Sequence, residues 1–223
     1  MRVGGLVPVR DPAKKDMAIF REQLQLIRSP RTTITRLAND PRATFVGLKH
    51  IFILAVLYEL AFVLWALGDA TVTMPAFLRI PEDQYYYYEL IFAIPVFLVV
   101  WLVAGGTAYV LSKALGGSGS YDAILGGFGI AALISAYFSL IPDFIQGVLW
   151  TTGWVPFDEY QEATSRGPLL VLVWGYITAY NVSHLVLYTV TIRFSQNLGR
   201  LKSAIVATIS YFTSIGIFIT FIR

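Results

Sequence analysis

The chain has 223 residues, of which 56% are hydrophobic and 14% charged, with a formal net charge of +3. An ordinary soluble domain carries about 25% charged residues, so this chain has too few polar side chains to cover a water-soluble globule. It contains no cysteine, which excludes disulfides, thiolate metal sites, iron–sulfur clusters and cysteine nucleophiles.

The first 45 residues form a polar, basic leader, which we separate from a membrane domain at residues 46–223. Four apolar residues of the leader recur at helical spacing, with charged and amide side chains on the other faces. They are Met17, Phe20, Leu24 and Ile27. This pattern predicts a short amphipathic helix, which either lies on the membrane surface or packs under the protein's own cytoplasmic face.

Two helix starts follow in the leader, because Ser29 and Asp40 each place a capping residue directly before a proline. We therefore expect a short helix over residues 30–38 and a first span that begins near Pro41. The leader also carries arginines that we expect to contact anionic lipid headgroups, where each basic residue contributes about 1 kcal/mol to surface attraction. These are Arg28, Arg31, Arg36 and Arg42.

The rest of the chain consists mostly of apolar stretches joined by connecting segments. Each stretch has about 20 residues or more, which is long enough to cross about 30 Å of hydrocarbon. We predict spans at residues 46–68, 89–112, 122–148, 168–192 and 201–222. The tyrosines at 85–88, with Trp150 and Trp154, fall at span ends, as in an interfacial aromatic belt. The predicted fold is all-α, a polytopic membrane bundle of five transmembrane helices preceded by a short amphipathic helix.

The basic residues are unevenly divided between the two sides of these spans. Of the 17 Lys and Arg residues, only Arg79, Arg166 and Arg223 fall on the side where most loop carboxylates cluster. Cytoplasmic segments of membrane proteins carry the excess of Lys and Arg. The sequence therefore predicts a multi-pass protein of the cell membrane with a cytoplasmic N-terminus and, after five spans, a C-terminus outside.

Small residues at every fourth position predict where helices approach closely, since packing drives helix association in lipid. Such ladders are Gly127, Ala131, Ser135 and Ser139 in the third span, and Ala104, Ala108 and Ser112 in the second. The glycine run at residues 116–120, between these spans, lacks the Lys-Ser/Thr of a phosphate loop. We expect it to be a flexible turn.

Glu59 is the clearest ionisable residue at membrane depth, where a charge is costly unless it faces the bundle interior and finds a partner. It lies roughly 20 Å into the first span, Asn181 of the fourth span reaches a similar depth, and His184 lies nearer the cytoplasmic side. In one interpretation Glu59 hydrogen-bonds across helices to Asn181 or to a tyrosine. In the other, Glu59, Asn181 and His184 form a proton or cation relay. The tyrosines considered are Tyr58, Tyr109 and Tyr180.

Asp143 follows Pro142 late in the third span, with Gln146 one turn further on. These two side chains either line an outer vestibule or belong to a proline-broken, solvated helix end. Catalytic patterns such as HExxH, GxSxG or a Ser/His/Asp set do not stand out, and histidines with metal-ligand spacing are missing. We therefore expect no enzymatic activity, no cofactor and no metal site.

Several short motifs occur in a characteristic order from about Ile27 onward. They are Ser29-Pro30-Arg31-Thr32-Thr33, Asp40-Pro41-Arg42, Leu115-Gly116-Gly117-Ser118-Gly119-Ser120-Tyr121 and Leu140-Ile141-Pro142. With the five-span layout, they make the chain similar to the Yip family, integral membrane proteins named for interaction with Ypt/Rab GTPases, in the shorter form found in bacteria and archaea. The resemblance implies five helices, a cytoplasmic N-terminus and no known catalysis.

Eukaryotic members of that family act in membrane traffic, with an Asp-Leu-Tyr-Gly-Pro motif associated with GTPase partners. This chain lacks the motif and its leader is short, so Rab binding is not implied. We predict a non-catalytic, Yip-like membrane scaffold that binds partners or anionic lipids and self-associates or joins another membrane protein, without nucleic acid. The alternative function is a small transporter or channel for a proton, ion or small solute that uses Glu59, Asn181 and His184.

Overall fold

The computed structural model describes residues 12–72 and 77–222, with side chains from Ile19 onward. Met17 and the basic residues before it therefore lie outside the described side chains. The described part of the chain is helical and contains no strand. Its helices are α1 (Pro12–Arg28), α2 (Pro30–Ala38), α3 (Ala43–Leu67), a 3-10 turn (Glu82–Gln84), α4 (Tyr85–Ala114), α5 (Tyr121–Thr151), α6 (Phe157–Thr164), α7 (Gly167–Gln196) and α8 (Arg200–Phe221).

Within the described residues, five helices, α3, α4, α5, α7 and α8, are long and apolar enough to cross a membrane. They confirm the predicted all-α bundle and its five spans, so the chain is a multi-pass membrane protein. Helix α2 has the predicted bounds, with Pro30 in its first turn. The sequence did not predict α6, and it placed the start of α4 after the tyrosines that the helix in fact includes.

Helix α5 is the central element of the bundle, because it packs on α3 along one side and on α7 along another. The α3 and α5 helices are parallel and approach so closely that their backbones meet. A Cβ atom at Gly126 would lie 2.8 Å from the carbonyl oxygen of Ala43, and one at Gly129 would overlap the carbonyl of Gly47. Only glycine allows this contact.

The predicted small-residue ladder of α5 begins at Gly127, which faces α7 and α2 rather than α3. A Cβ atom at Gly127 would overlap the side chain of Thr191 in α7 and lie 3.0 Å from the Ile34 side chain of α2. The ladder on α4 is buried at Ala104, Ala108 and Ser112. Small residues therefore set three separate approaches within the bundle.

The glycine run between α4 and α5 forms a turn, as predicted, and hydrogen bonds tie it to the end of α7. The backbone N–H of Ser118 donates to Gln196 at 3.1 Å, and the Gln196 side chain donates back to the carbonyl of Ser120 at 2.9 Å. A Cβ atom at Gly119 would overlap the carbonyl of Ser195. The run thus joins the start of α5 to the end of α7.

Helices α1 and α2 pack against one end of the bundle, which we call the leader side; the opposite end is the far side. Ile34 and Leu37 of α2 are buried against α5 and α7. On α1, Glu22 lies 3.3 Å from the ammonium of Lys49 in α3. Gln23 is 3% exposed and accepts a hydrogen bond of 3.1 Å from the hydroxyl of Tyr137 in α5.

Two of the apolar side chains that predicted α1, Phe20 and Ile27, do not make these contacts. Phe20 is 61% exposed and Ile27 is 56% exposed, although both belong to the apolar face of the helix. Leu26, on the neighbouring face, is fully buried against the bundle. The two alternatives for the leader helix are therefore compatible, since one face packs on the protein while the apolar face remains open to a membrane surface.

We predict that Gly129→Ala lowers the apparent melting temperature of the protein in lipid nanodiscs by several degrees. The added methyl would force the α3 and α5 backbones apart, and overpacking of this kind costs about 1–3 kcal/mol. Gly175→Ala is the matched control, because a methyl group added at Gly175 of α7 would have no other atom within 4 Å. Equal melting temperatures for both variants would contradict a backbone contact at Gly129.

Candidate functional site

The inward face of α7 carries polar side chains along most of its length. They are Tyr176, Tyr180, His184, Tyr188, Thr191 and Ser195, at spacings of three or four residues. The opposite face is apolar and exposed, as at Val171, Val182 and Val186. We call these six polar side chains the α7 stripe. The α7 stripe covers about 28 Å along the helix axis, close to the roughly 30 Å thickness of the hydrocarbon core of a bilayer.

Matching polar side chains face this stripe from α5 and α8. Those on α5 are Ser135, Ser139, Asp143 and Gln146, and those on α8 are Ser203, Ser210, Tyr211 and Ser214. All except Ser139 are buried. We call this set, together with the α7 stripe and Tyr58 of α3, the polar seam.

Asn181 and His184 lie in the middle of the polar seam. The hydroxyl of Tyr211 donates to the Asn181 side chain, whose amide donates in turn to the carbonyl of Ile177 at 2.6 Å. The His184 ring is 7% exposed and lies 4.7 Å from the ring of Tyr188 and 5.3 Å from that of Tyr211, measured between centroids. Its Nδ1 atom has no hydrogen-bond partner among the described residues.

Asp143 and Gln146 lie inside the bundle, so the expectation of a solvated helix end is wrong. Helix α5 continues through Pro142 as far as Thr151, and Asp143 is 8% exposed. Its backbone carbonyl accepts a hydrogen bond of 3.1 Å from Trp65, and Gln146 lies within hydrogen-bonding reach of Tyr176. The two side chains form the far-side end of the polar seam.

Helix α6 covers this far-side end. Tyr160 and Phe157 of α6 pack edge-on against Trp150, at centroid distances of 5.4 and 5.0 Å. Burial raises the pKa of the Tyr160 phenol to about 12. Tyr160 therefore keeps its proton at neutral pH and remains a hydrogen-bond donor close to Asp143.

A small cavity of about 40 Å³ opens along the polar seam, lined by side chains from all five long helices, among them Trp101, Tyr180, Tyr188, Tyr211 and Ser214. A cavity of this size has room for about one to three water molecules. Towards the leader side, the ring of Tyr188 stacks on Phe128 at 3.6 Å and closes the cavity. This cavity is too small for an organic solute.

Glu59 is not part of this arrangement, which corrects the predicted grouping with Asn181 and His184. The half-buried Glu59 carboxyl has one buried oxygen and lies between α3 and α4, against the backbone of Ile94 and next to Pro95 of α4. Helix α5 separates α3 from α7. Depth in the membrane matched Glu59 to Asn181, but the two side chains point in different directions around their helices.

The predicted headgroup arginines lie on the leader side, and all are exposed. They are Arg28, Arg31, Arg36 and Arg42. Arg36 also donates to the Gln25 side chain at 3.1 Å, which fixes the angle between α1 and α2. Beside this contact is an open pocket of about 220 Å³, lined by Gln25, Ser29, Thr32, Thr33 and Arg36.

The described residues contain no group of three or more His, Asp or Glu side chains that could hold a metal ion. The sequence predicted Asn181, His184, Asp143 and Gln146 individually, and Tyr58 and Tyr180 only as possible partners of Glu59. It did not predict the roles of Tyr176, Tyr188, Tyr211 and Ser210. The signal was present, since Tyr176, Tyr180, His184 and Tyr188 follow one another at intervals of four.

Neither protein-family models nor curated proteins nor solved structures gave a match to this chain. The resemblance to the Yip family therefore stays a prediction based on the motifs alone.

We predict a positive coupling between Tyr211 and Asn181 in a double-mutant cycle of Tyr211→Phe with Asn181→Ala. A hydrogen bond between transmembrane helices is worth about 0.6–1.7 kcal/mol, and each single variant removes it. The measurement is the free energy of unfolding in mixed micelles. As the control pair, Tyr211→Phe with Asn197→Ala should be additive within about 0.5 kcal/mol, because Asn197 bonds to Ser118 at the leader side. If the effects of Tyr211→Phe and Asn181→Ala were additive as well, that result would contradict the hydrogen bond between Tyr211 and Asn181.

Proposed function

We propose that the protein is a non-catalytic membrane protein, of the kind that the Yip resemblance implies, whose leader forms a platform on anionic lipid. The observation that carries this proposal is the exposure of Phe20 and Ile27 on a helix that is otherwise docked on the bundle. An amphipathic helix at an interface buries its apolar face about 5–10 Å into the headgroup boundary. The bundle holds α1 where this can happen.

The charges of the leader support the same arrangement. Arg21 and Arg28 lie next to the apolar face of α1, and both are exposed. Arg31, Arg36 and Arg42 continue the basic surface across α2 to the start of α3. Basic residues near anionic headgroups are attracted by the surface potential of the cytoplasmic leaflet.

The proposed orientation follows from this leader. We place the leader side in the cytoplasm and the far side outside, in the cell membrane, in agreement with the distribution of Lys and Arg. The far side then holds the carboxylates of α6 and the 3-10 turn, Glu82, Asp83, Asp158, Glu159 and Glu162. Self-association and a protein partner stay predictions from the sequence.

We predict that a fluorophore at position 20 is quenched by nitroxide groups on lipid tails at least twice as strongly as one at position 21. The chain has no cysteine, so Phe20→Cys and Arg21→Cys each give a single labelling site in the full-length protein. The two positions are adjacent but point about 100° apart on the helix. Equal quenching in nanodiscs with anionic lipid would contradict an apolar face inserted in the membrane.

We predict that replacing Arg28 and Arg31 together by Gln weakens insertion of the leader. The loss of about 2 kcal/mol of attraction should raise the anionic lipid fraction needed for half-maximal quenching of the position-20 label. Exchanging Arg79 and Arg166 for Gln removes the same charge on the far side and should leave that fraction unchanged. A shift of the same size in both double variants would show that total charge, rather than the leader surface, is responsible.

A further inference from the structure

We propose that the polar seam conducts protons across the membrane, through hydroxyl groups and bound water, between Asp143 on the far side and the leader-side ends of α5 and α7. This activity is separate from the lipid platform and uses none of its residues. The ligand of the seam is the proton, since its cavity of about 40 Å³ is too small for a solute larger than water.

The first argument is that polar groups recur at successive depths through the membrane. From the far side, Asp143 lies within electrostatic range of Tyr58, Tyr176 and Tyr180. The hydroxyls of Tyr58 and Ser139 bond at 2.7 Å. Tyr180 and Tyr211 then line the cavity, and both rings contact His184.

The second argument is a set of unpartnered polar atoms that runs from the middle of the seam to its leader-side end. Each lies in a residue less than a tenth exposed and has no hydrogen-bond partner among the described residues. They are His184 Nδ1, Ser135 Oγ, Thr191 Oγ1, Ser195 Oγ and Ser210 Oγ. Buried polar atoms without partners are rare in proteins and are usually explained by water or an ion. Water at these atoms would extend the hydrogen-bonded chain past the stacked ring of Tyr188.

The third argument is the cost of an acid and a histidine at this depth. Ionisable side chains inside a bundle are expensive and mark ion or proton pathways when they are not simply paired. A second acid, Glu89, is fully buried on α4, and Tyr86 lies within electrostatic range of both Glu89 and Asp143. Glu89 therefore lies near the far-side end of the seam, and Asp143 is the carboxyl group within the seam itself.

Each group gains one proton and loses one during a passage; hydroxyls and water then reorient, and the His184 ring returns to its starting tautomer before the next proton passes. Asp143 accepts a proton from far-side water, and each hydroxyl or water accepts one proton on its oxygen and releases another to the next acceptor. His184 accepts on its free ring nitrogen and releases the proton held on the other. Thr191 and Ser195 pass it towards Gln196, which bonds to Ser120 at the leader-side surface. One proton moves down its gradient, and no other bond is made or broken.

The test is proton uptake by proteoliposomes that contain a pH-sensitive dye and are polarised with valinomycin and potassium. We expect wild-type flux well above that of empty liposomes. Asp143→Asn should reduce the flux at least tenfold, and Asp143→Glu should restore part of it. His184→Phe keeps the aromatic packing and should also reduce the flux, so a folding defect in one variant leaves the other as a test.

Glu59→Gln is the matched control, because it removes an intramembrane carboxyl that lies outside the seam, and its flux should equal that of the wild type. Wild-type flux no higher than in empty liposomes would overturn the proposal. Unchanged flux in folded Asp143→Asn or His184→Phe protein would also overturn it. The same holds if Glu59→Gln loses its flux while Asp143→Asn keeps the wild-type value. None of these outcomes depends on the leader's binding to anionic lipid, which the labels at positions 20 and 21 measure separately.

Discussion

The backbone contact between α3 and α5 is the constraint on which the rest of the bundle depends. In lipid there is no hydrophobic gain from bringing helices together, so close packing has to supply the attraction. Gly47, Gly126 and Gly129 remove the side chains that would keep the two backbones apart. Helix α3 makes the most extensive contact with α5, along one side, and the other faces of α5 contact α7, α4 and the leader.

That central position determines where polar side chains can be tolerated. The span most enclosed by others, α5, carries Ser135, Asp143 and Gln146 in the interior, where other polar groups are within reach. Helix α7 lies at the periphery, so it needs an apolar outer face and can place its polar residues only towards α5 and α8. The polar seam is therefore a consequence of packing order, with the acid on α5 and the histidine on α7 facing a common interior.

Composition and periodicity were sufficient to predict the five spans, the bounds of α2 and the amphipathic character of α1, since these depend on local patterns. They were insufficient to predict the site. The depth of a residue along a helix can be counted from the sequence, but the direction in which its side chain points around the helix axis depends on how the neighbouring helices pack. Glu59 and Asn181 match in depth and still face apart, with Glu59 beside Ile94. Asp143 was misplaced because a proline in a membrane helix need not end it when neighbouring helices satisfy the backbone.

The leader and the polar seam meet at α5 and α7, which connects the two proposals physically. Ile34 of α2 lies against Gly127 and Thr191, at the leader-side end of the seam, while Gln23 of α1 holds Tyr137 of the same α5 helix. Arg36 joins α1 to α2 through Gln25, so the two leader helices are held at a fixed angle. The two proposals therefore meet at one place in the fold, because the leader helices proposed to bind lipid also pack on the leader-side ends of α5 and α7.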